Sequence, residues 1–140
     1  FAFHNIIITN NMINANKNLF STHKRLQSFV YAYHGILYLF RSQHNVWIHM
    51  GFTLFALGLG VCFSIDRLEW IAIIICIGMV LAAEGFNTAI ELLCDARFTD
   101  YDKRAERIKD TAAGAVLIIS IAAAVIGTII FLPRLVAYFL

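Results

Sequence analysis

The chain has 140 residues, 60% of them hydrophobic and 14% charged, with a formal net charge of +2 and a mean hydropathy of +0.73. A soluble domain of this length holds about half apolar and about a quarter charged residues, so the composition points to one domain built for a membrane. A net charge of +2 gives no basic footprint for nucleic acid, and the three cysteines form no CxxC or His/Cys pattern, which leaves them as free buried thiols rather than a zinc site or a disulfide framework.

The opening stretch FAFHNIIITNNMINANKN is rich in asparagine and lacks the basic start and apolar core of a signal peptide. Residues 1–20 therefore read as a disordered tail, and 21–140 as a single membrane domain. Next comes HKRLQSFVYAYHGILYLFRSQ, in which Phe29, Ala32, Tyr33, Ile36 and Phe40 recur at helical spacing between Lys24, Arg25 and Arg41. That pattern predicts an amphipathic helix over about 24–41, lying at a membrane surface with its aromatic rings at headgroup depth.

Three stretches then meet the length of about 20 helical residues that a bilayer core requires. They cover 45–65, 70–94 and 111–133, the last expected to stop at Pro133. None alternates apolar and polar residues as an outer-membrane barrel strand does. Lys17, Lys24, Arg25 and Arg41 precede the first span, and Arg97, Lys103, Arg104, Arg107 and Lys109 follow the second, whereas the link SIDRLE between them carries only Arg67. The positive-inside rule places the N-terminus and the second connection in the cytoplasm.

The second span carries EGFNTAIE directly after WIAIIICIGMVLAA. Glu84, Asn87, Glu91 and Asp95 are spaced by three, four and four residues and so share one helix face. With this orientation they occupy the cytoplasmic half, at the depth of Gln43, Asn45 and His49 on the first span and beside Lys109 and Asp110 at the start of the third. Ionisable residues at membrane depth face a bundle interior or a wet cavity and mark function. A polar seam between helices would account for Asn87 but not for the carboxylates, each of which needs a proton or a cation. A small ion-conducting bundle would spread its carboxylates across the membrane, and these stop halfway. Metal-assisted phosphoryl transfer needs carboxylates for a magnesium ion, a base beside a hydroxyl and cations for phosphates. The charged connection DARFTDYDKRAERIKD supplies bases next to the acids, although its five acids and five bases also suit a solvated loop. Neither a GxxxxGK[ST] loop nor the motif set of protein kinases is present, so a nucleotide site here would be unconventional.

EGFNTAIELLCD (84–95) and KDTAAGAVL (109–117), with SFVYAYHGI (28–36), SQHNVWIH (42–49) and the closing IIFLPRL, resemble the prokaryotic diacylglycerol kinase / undecaprenol kinase family, in particular its Gram-positive undecaprenol kinase branch. The resemblance spans roughly residues 24–135. It implies an all-α integral membrane protein with three transmembrane helices and an N-terminal amphipathic surface helix. It also implies a homotrimer with active sites shared between subunits, in the bacterial inner membrane. The implied reaction moves the γ-phosphoryl group of ATP, with Mg²⁺ as cofactor, to the hydroxyl of a lipid substrate, undecaprenol or diacylglycerol. By the same resemblance Glu84 is the catalytic base and Glu91 a metal ligand. Asn87 orients that site. Lys109 and Asp110 contact the nucleotide; Asp100, Tyr101 and Asp102 reach its adenosine part; Tyr31 and Lys24 fall at further nucleotide positions. Ser28, His49 and Ala113 line the lipid side. Position 43, usually a second metal-binding glutamate, is Gln43 here, which opens a second reading as a weakly active or inactive member.

Overall fold

The computed structural model describes residues 22–140, with side chains from Arg25 onward. The expected tail 1–20 and the side chain of Lys24 lie outside the described residues. Four helices follow one another: α1 (Thr22–Ser42), α2 (His44–Cys62), α3 (Arg67–Arg97) and α4 (Lys103–Phe139). The chain divides into two units, 1–38 and 39–140.

In the first unit α1 exposes Leu26, Phe29, Tyr31, Tyr33 and Ile36 alike. In the second unit α2, α3 and α4, of 19, 31 and 37 residues, are long and apolar enough to cross a membrane. At 1.5 Å per residue, α3 and α4 are about 46 and 56 Å long, well beyond a hydrocarbon core of about 30 Å. The surplus length of α3 carries Glu91–Arg97, and that of α4 carries Lys103–Asp110.

Each start and stop has a local cause. Asp66 caps α3 in a capping box: its Oδ1 accepts from the backbone N–H groups of Leu68 (2.7 Å) and Glu69 (3.0 Å), and Glu69 Oε2 accepts from the N–H of Asp66 (2.9 Å). Asp102 starts α4 by accepting from the N–H of Arg104 at 2.7 Å. That cap draws most of the expected charged connection into helix. Only 98–102 remain as the link, where the guanidinium groups of Arg97 and Arg104 each stand 5.7 Å from the ring of Phe98. The tight turn from α2 to α3 holds Ser64 at φ 48°, and a Cβ placed on Gly60 would meet the ring of Trp70 at 2.8 Å, so the turn closes only over a glycine.

The expected stop at Pro133 is corrected: α4 runs through it to Phe139. Proline at 133 removes the N–H that would bond the Ile129 carbonyl and crowds that turn, yet the helix continues through it. Arg134 Nη1 donates to the carbonyl of Ile130 at 2.6 Å, while its Nη2 donates to Glu69 Oε2 at 2.7 Å and ties the end of α4 to the start of α3. At that same end Ile65, Ile73, Ile130 and Phe131 form the buried apolar cluster, with Trp70 and Ile126 packed on it. The cysteines are free, with Cys94 buried and Cys62 exposed.

Candidate active site

At the opposite end of α3 the interior turns polar. Among the described residues the buried polar side chains are Glu84 (2% exposed), Asn87 and Thr88. They stand on the helix face that the three-and-four spacing defines, and Glu91 follows one turn on. Thr88 Oγ1 returns its hydroxyl hydrogen to the carbonyl of Glu84 at 2.9 Å, which satisfies a polar group that would otherwise be buried unpaired. Thr88 escaped sequence reasoning, yet its position four residues after Glu84 is the signal for such a bond.

Two contacts join α3 to the α2 end of the same unit. His49 Nε2 lies 3.0 Å from Glu84 Oε1, within hydrogen-bond distance. Gln43 Nε2 donates to Glu91 Oε2 at 3.2 Å, and Asn87 Nδ2 donates to Glu91 Oε1 at 3.0 Å. Glu91 is thus held between two neutral amides. Asn87 Oδ1 is buried with no hydrogen-bond partner.

Two cavities border this stripe. One is an apolar groove of about 550 Å³ formed by α2, α3 and α4, running from His49 past Phe52, Cys76 and Ser120 to Leu135. The antiparallel pairing of α3 with α4, fixed by Lys109–Asp95 at one end and Arg134–Glu69 at the other, sets Ser120 level with Glu84. Sequence reasoning did not find this groove, because it depends on how three apolar helices rotate against each other. The second is an open pocket of about 300 Å³ at the α3–α4 link, lined by Asp95, Asp100, Tyr101, Asp102, Lys109 and Asp110, among others. Here Tyr101 Oη donates to Glu106 Oε2 at 2.7 Å, and that acceptor holds the phenol above its usual range. Arg104 bonds both oxygens of Asp102, at 3.1 and 2.7 Å, and lowers its carboxyl to about 2. Lys109 pairs with Asp95, not with its neighbour Asp110.

Of the site residues expected from sequence, Glu84, Asn87, Glu91, Gln43 and His49 come together where α2 meets α3. Asp100, Tyr101, Asp102, Lys109 and Asp110 gather in the link pocket. Ala113 is exposed on α4, one turn past Lys109. Ser28 and the exposed Tyr31 belong to the first unit, on α1.

Three helices long and apolar enough to cross a membrane, with the one buried carboxylate among the described residues, Glu84, on the second of them, define a small membrane protein. Residues 30–131 match the family described as prokaryotic diacylglycerol kinase, and the chain belongs to that family. It is 35% identical over 109 residues to an undecaprenol kinase of Bacillus subtilis, an overlap of 78% of this chain and 89% of that protein. It is also 37% identical over 118 residues to a diacylglycerol kinase of Synechocystis sp., covering 80% of this chain and 65% of that protein.

Proposed function

We propose that this protein is an ATP-dependent lipid kinase that phosphorylates a membrane lipid hydroxyl at the cytoplasmic surface, with Glu84 as general base. The observation that carries the reading is the placement of Glu84: a carboxylate 2% exposed, bonded to His49, which itself lines the apolar groove. A lipid whose hydrocarbon tail lies in that groove would bring its hydroxyl to the carboxylate. The acceptor O–H bond then breaks and its proton passes to Glu84. The oxygen bonds to the γ-phosphorus as the bond to the β,γ-bridging oxygen breaks, leaving ADP. The names of the two relatives support a lipid alcohol as acceptor, and the likeness to the undecaprenol kinase favours undecaprenol over diacylglycerol.

The link pocket suits the adenosine part of ATP. Ribose hydroxyls and an exocyclic amine are donors, and Asp100, Asp102 and Asp110 are acceptors. The residues present also fit a magnesium ion. Glu91 and the amide oxygens of Asn87 and Gln43 are hard oxygen donors, and the unpartnered Asn87 Oδ1 is an acceptor in want of a partner. Among the described residues no three His, Cys, Asp or Glu side chains gather as a complete metal cage. Magnesium uses one or two carboxylates and takes its remaining ligands from water and substrate phosphates. Held by Glu91, Asn87 and Gln43, such an ion would supply positive charge for the phosphates of the nucleotide.

Lysine and arginine flanking the spans support a cytoplasmic N-terminus and α3–α4 link in a bacterial inner membrane. The exposed aromatic residues of α1 support a surface helix. Few residues of the three long helices are buried within one chain, which supports a homotrimer whose subunits cover one another and share sites. A second reading, a weakly active member, is carried by Gln43, which sets a neutral amide against Glu91 where the family resemblance expects a second carboxylate.

The test is transfer of γ-labelled phosphate from ATP to undecaprenol or diacylglycerol, offered together in mixed micelles. A labelled lipid phosphate is expected, with undecaprenol favoured. No labelled lipid from either alcohol, from folded protein at saturating ATP and magnesium, would overturn the reading.

A further inference from the structure

We infer that His49 is the positioning residue of the base: it holds the Glu84 carboxylate turned so that one of its oxygens is left for the acceptor hydroxyl. The inference rests on the reading of Glu84 as general base. Glu84 is 2% exposed, among Val80, Asn87 and Thr88 on its own helix, and a carboxylate removed from water that far needs a hydrogen-bond donor. The neighbouring polar side chains do not supply one. The Thr88 hydroxyl goes to the Glu84 backbone carbonyl, and the Asn87 amide goes to Glu91. The donor is His49, at 3.0 Å, and it comes from another helix. It engages Oε1, which leaves Oε2 to receive the proton.

The place of His49 fits this task better than a plain contact with the lipid tail. Its side chain is 20% exposed and lines the groove, while its Nε2 lies 3.0 Å from Glu84 Oε1. A groove wall alone would be served by a small or apolar side chain such as those that line most of the rest. The imidazole therefore fixes the rotamer of Glu84 at the level where the groove opens, and it does so without taking part in bond making. Loss of a group that orients another typically costs about 10–100-fold, less than the loss of the base itself.

The experiment uses the full chain in lipid-containing micelles and four forms: wild type, His49→Gln, His49→Leu and Glu84→Gln. His49→Leu should lower kcat about 10–100-fold with KM for the lipid alcohol little changed, and His49→Gln, which keeps an N–H donor, should restore most of that loss. In ¹⁵N-histidine NMR, the Nε2 signal of His49 should shift in Glu84→Gln while the signals of the other four histidines stay in place. This signal is read without turnover, and so does not depend on how well a leucine variant folds. A rise in KM with kcat unchanged in His49→Leu would overturn the inference, as would glutamine performing no better than leucine, or an unmoved His49 signal. Failure of the underlying reading looks different: Glu84→Gln would then turn over at the wild-type rate.

Discussion

The proposed metal site sets the neutral amide of Gln43 beside Glu91, and Gln43→Glu turns that proposal into a measurable quantity. The amide nitrogen of Gln43 stands 3.2 Å from Glu91 Oε2. A carboxylate in its place would put two negative charges at about that separation. Their repulsion is about 5 kcal/mol at an effective dielectric constant of about 20, and about 1.3 kcal/mol in bulk water. Both residues are half-buried, so the cost lies between these limits. Without a cation the variant should therefore be less stable than the wild type. A divalent ion set between two carboxylates reverses the sign, and its charge of +2 attracts each more strongly than they repel one another. Taking only the lower figure, cation affinity should rise about tenfold, since about 1.4 kcal/mol is a factor of ten. The assay is a titration of free Mg²⁺ at saturating ATP, followed by activity and, independently, by Mn²⁺ binding. The half-saturating concentration should fall about tenfold, and the melting temperature without metal should drop. Superimposable metal curves for the two forms would show that position 43 does not face a bound cation, and the transfer of the family's metal positions to Glu91 and Gln43 would fail at Gln43.

Other consequences follow from single residues. Gly60→Val should destabilise the protein by about 1–3 kcal/mol, because its Cβ would stand 2.8 Å from the Trp70 ring; a lower thermal-unfolding midpoint in micelles is the check, and an unchanged midpoint would mean that the turn is looser than described. Asp66→Ala removes both N-cap bonds of α3 and should cost about 1 kcal/mol, read in the same melts, with Asp66→Asn recovering most of it. The Asp102 carboxyl is held near 2, below its ordinary 3.8, so its cap on α4 is fully formed above about pH 4 and is lost as the pH falls through about 2. The amide protection factor of Arg104, measured by hydrogen exchange, should fall over that window, and Asp102→Asn should abolish the acid dependence.

How much could be read from the sequence depends on whether a feature lies along one helix or between several. The stripe of Glu84, Asn87, Glu91 and Asp95 was legible because i, i+3 and i+4 spacing alone puts side chains on one face, and an apolar background makes the polar ones stand out. The depth of Gln43 and His49 was legible from counting residues inward from the charged ends. That Gln43 turns to Glu91, and that His49 bonds Glu84, depends on helix rotation, which spacing on one helix does not encode. Pro133 misled because its usual effect assumes a chain free to leave the helix. At membrane depth an unwound turn would strand several backbone groups, whereas a continuous α4 forgoes only the bond to the Ile129 carbonyl that Pro133 cannot donate. The charged run 95–110 read as a loop by composition, but Asp102 caps a helix that takes up Lys103 onward, and so Lys109 comes to face Asp95 across the link.

The central claim is that a lipid hydroxyl loses its proton to Glu84 while ATP supplies the phosphoryl group. The most direct measurement is phosphoryl transfer by Glu84→Gln beside the wild type, with nucleotide binding followed in the same preparations. The substitution keeps shape and removes the proton acceptor. Transfer should fall about 10²–10⁴-fold, the usual worth of a general base, while magnesium–ATP binding stays within about twofold. Transfer at the wild-type rate from Glu84→Gln would contradict the account.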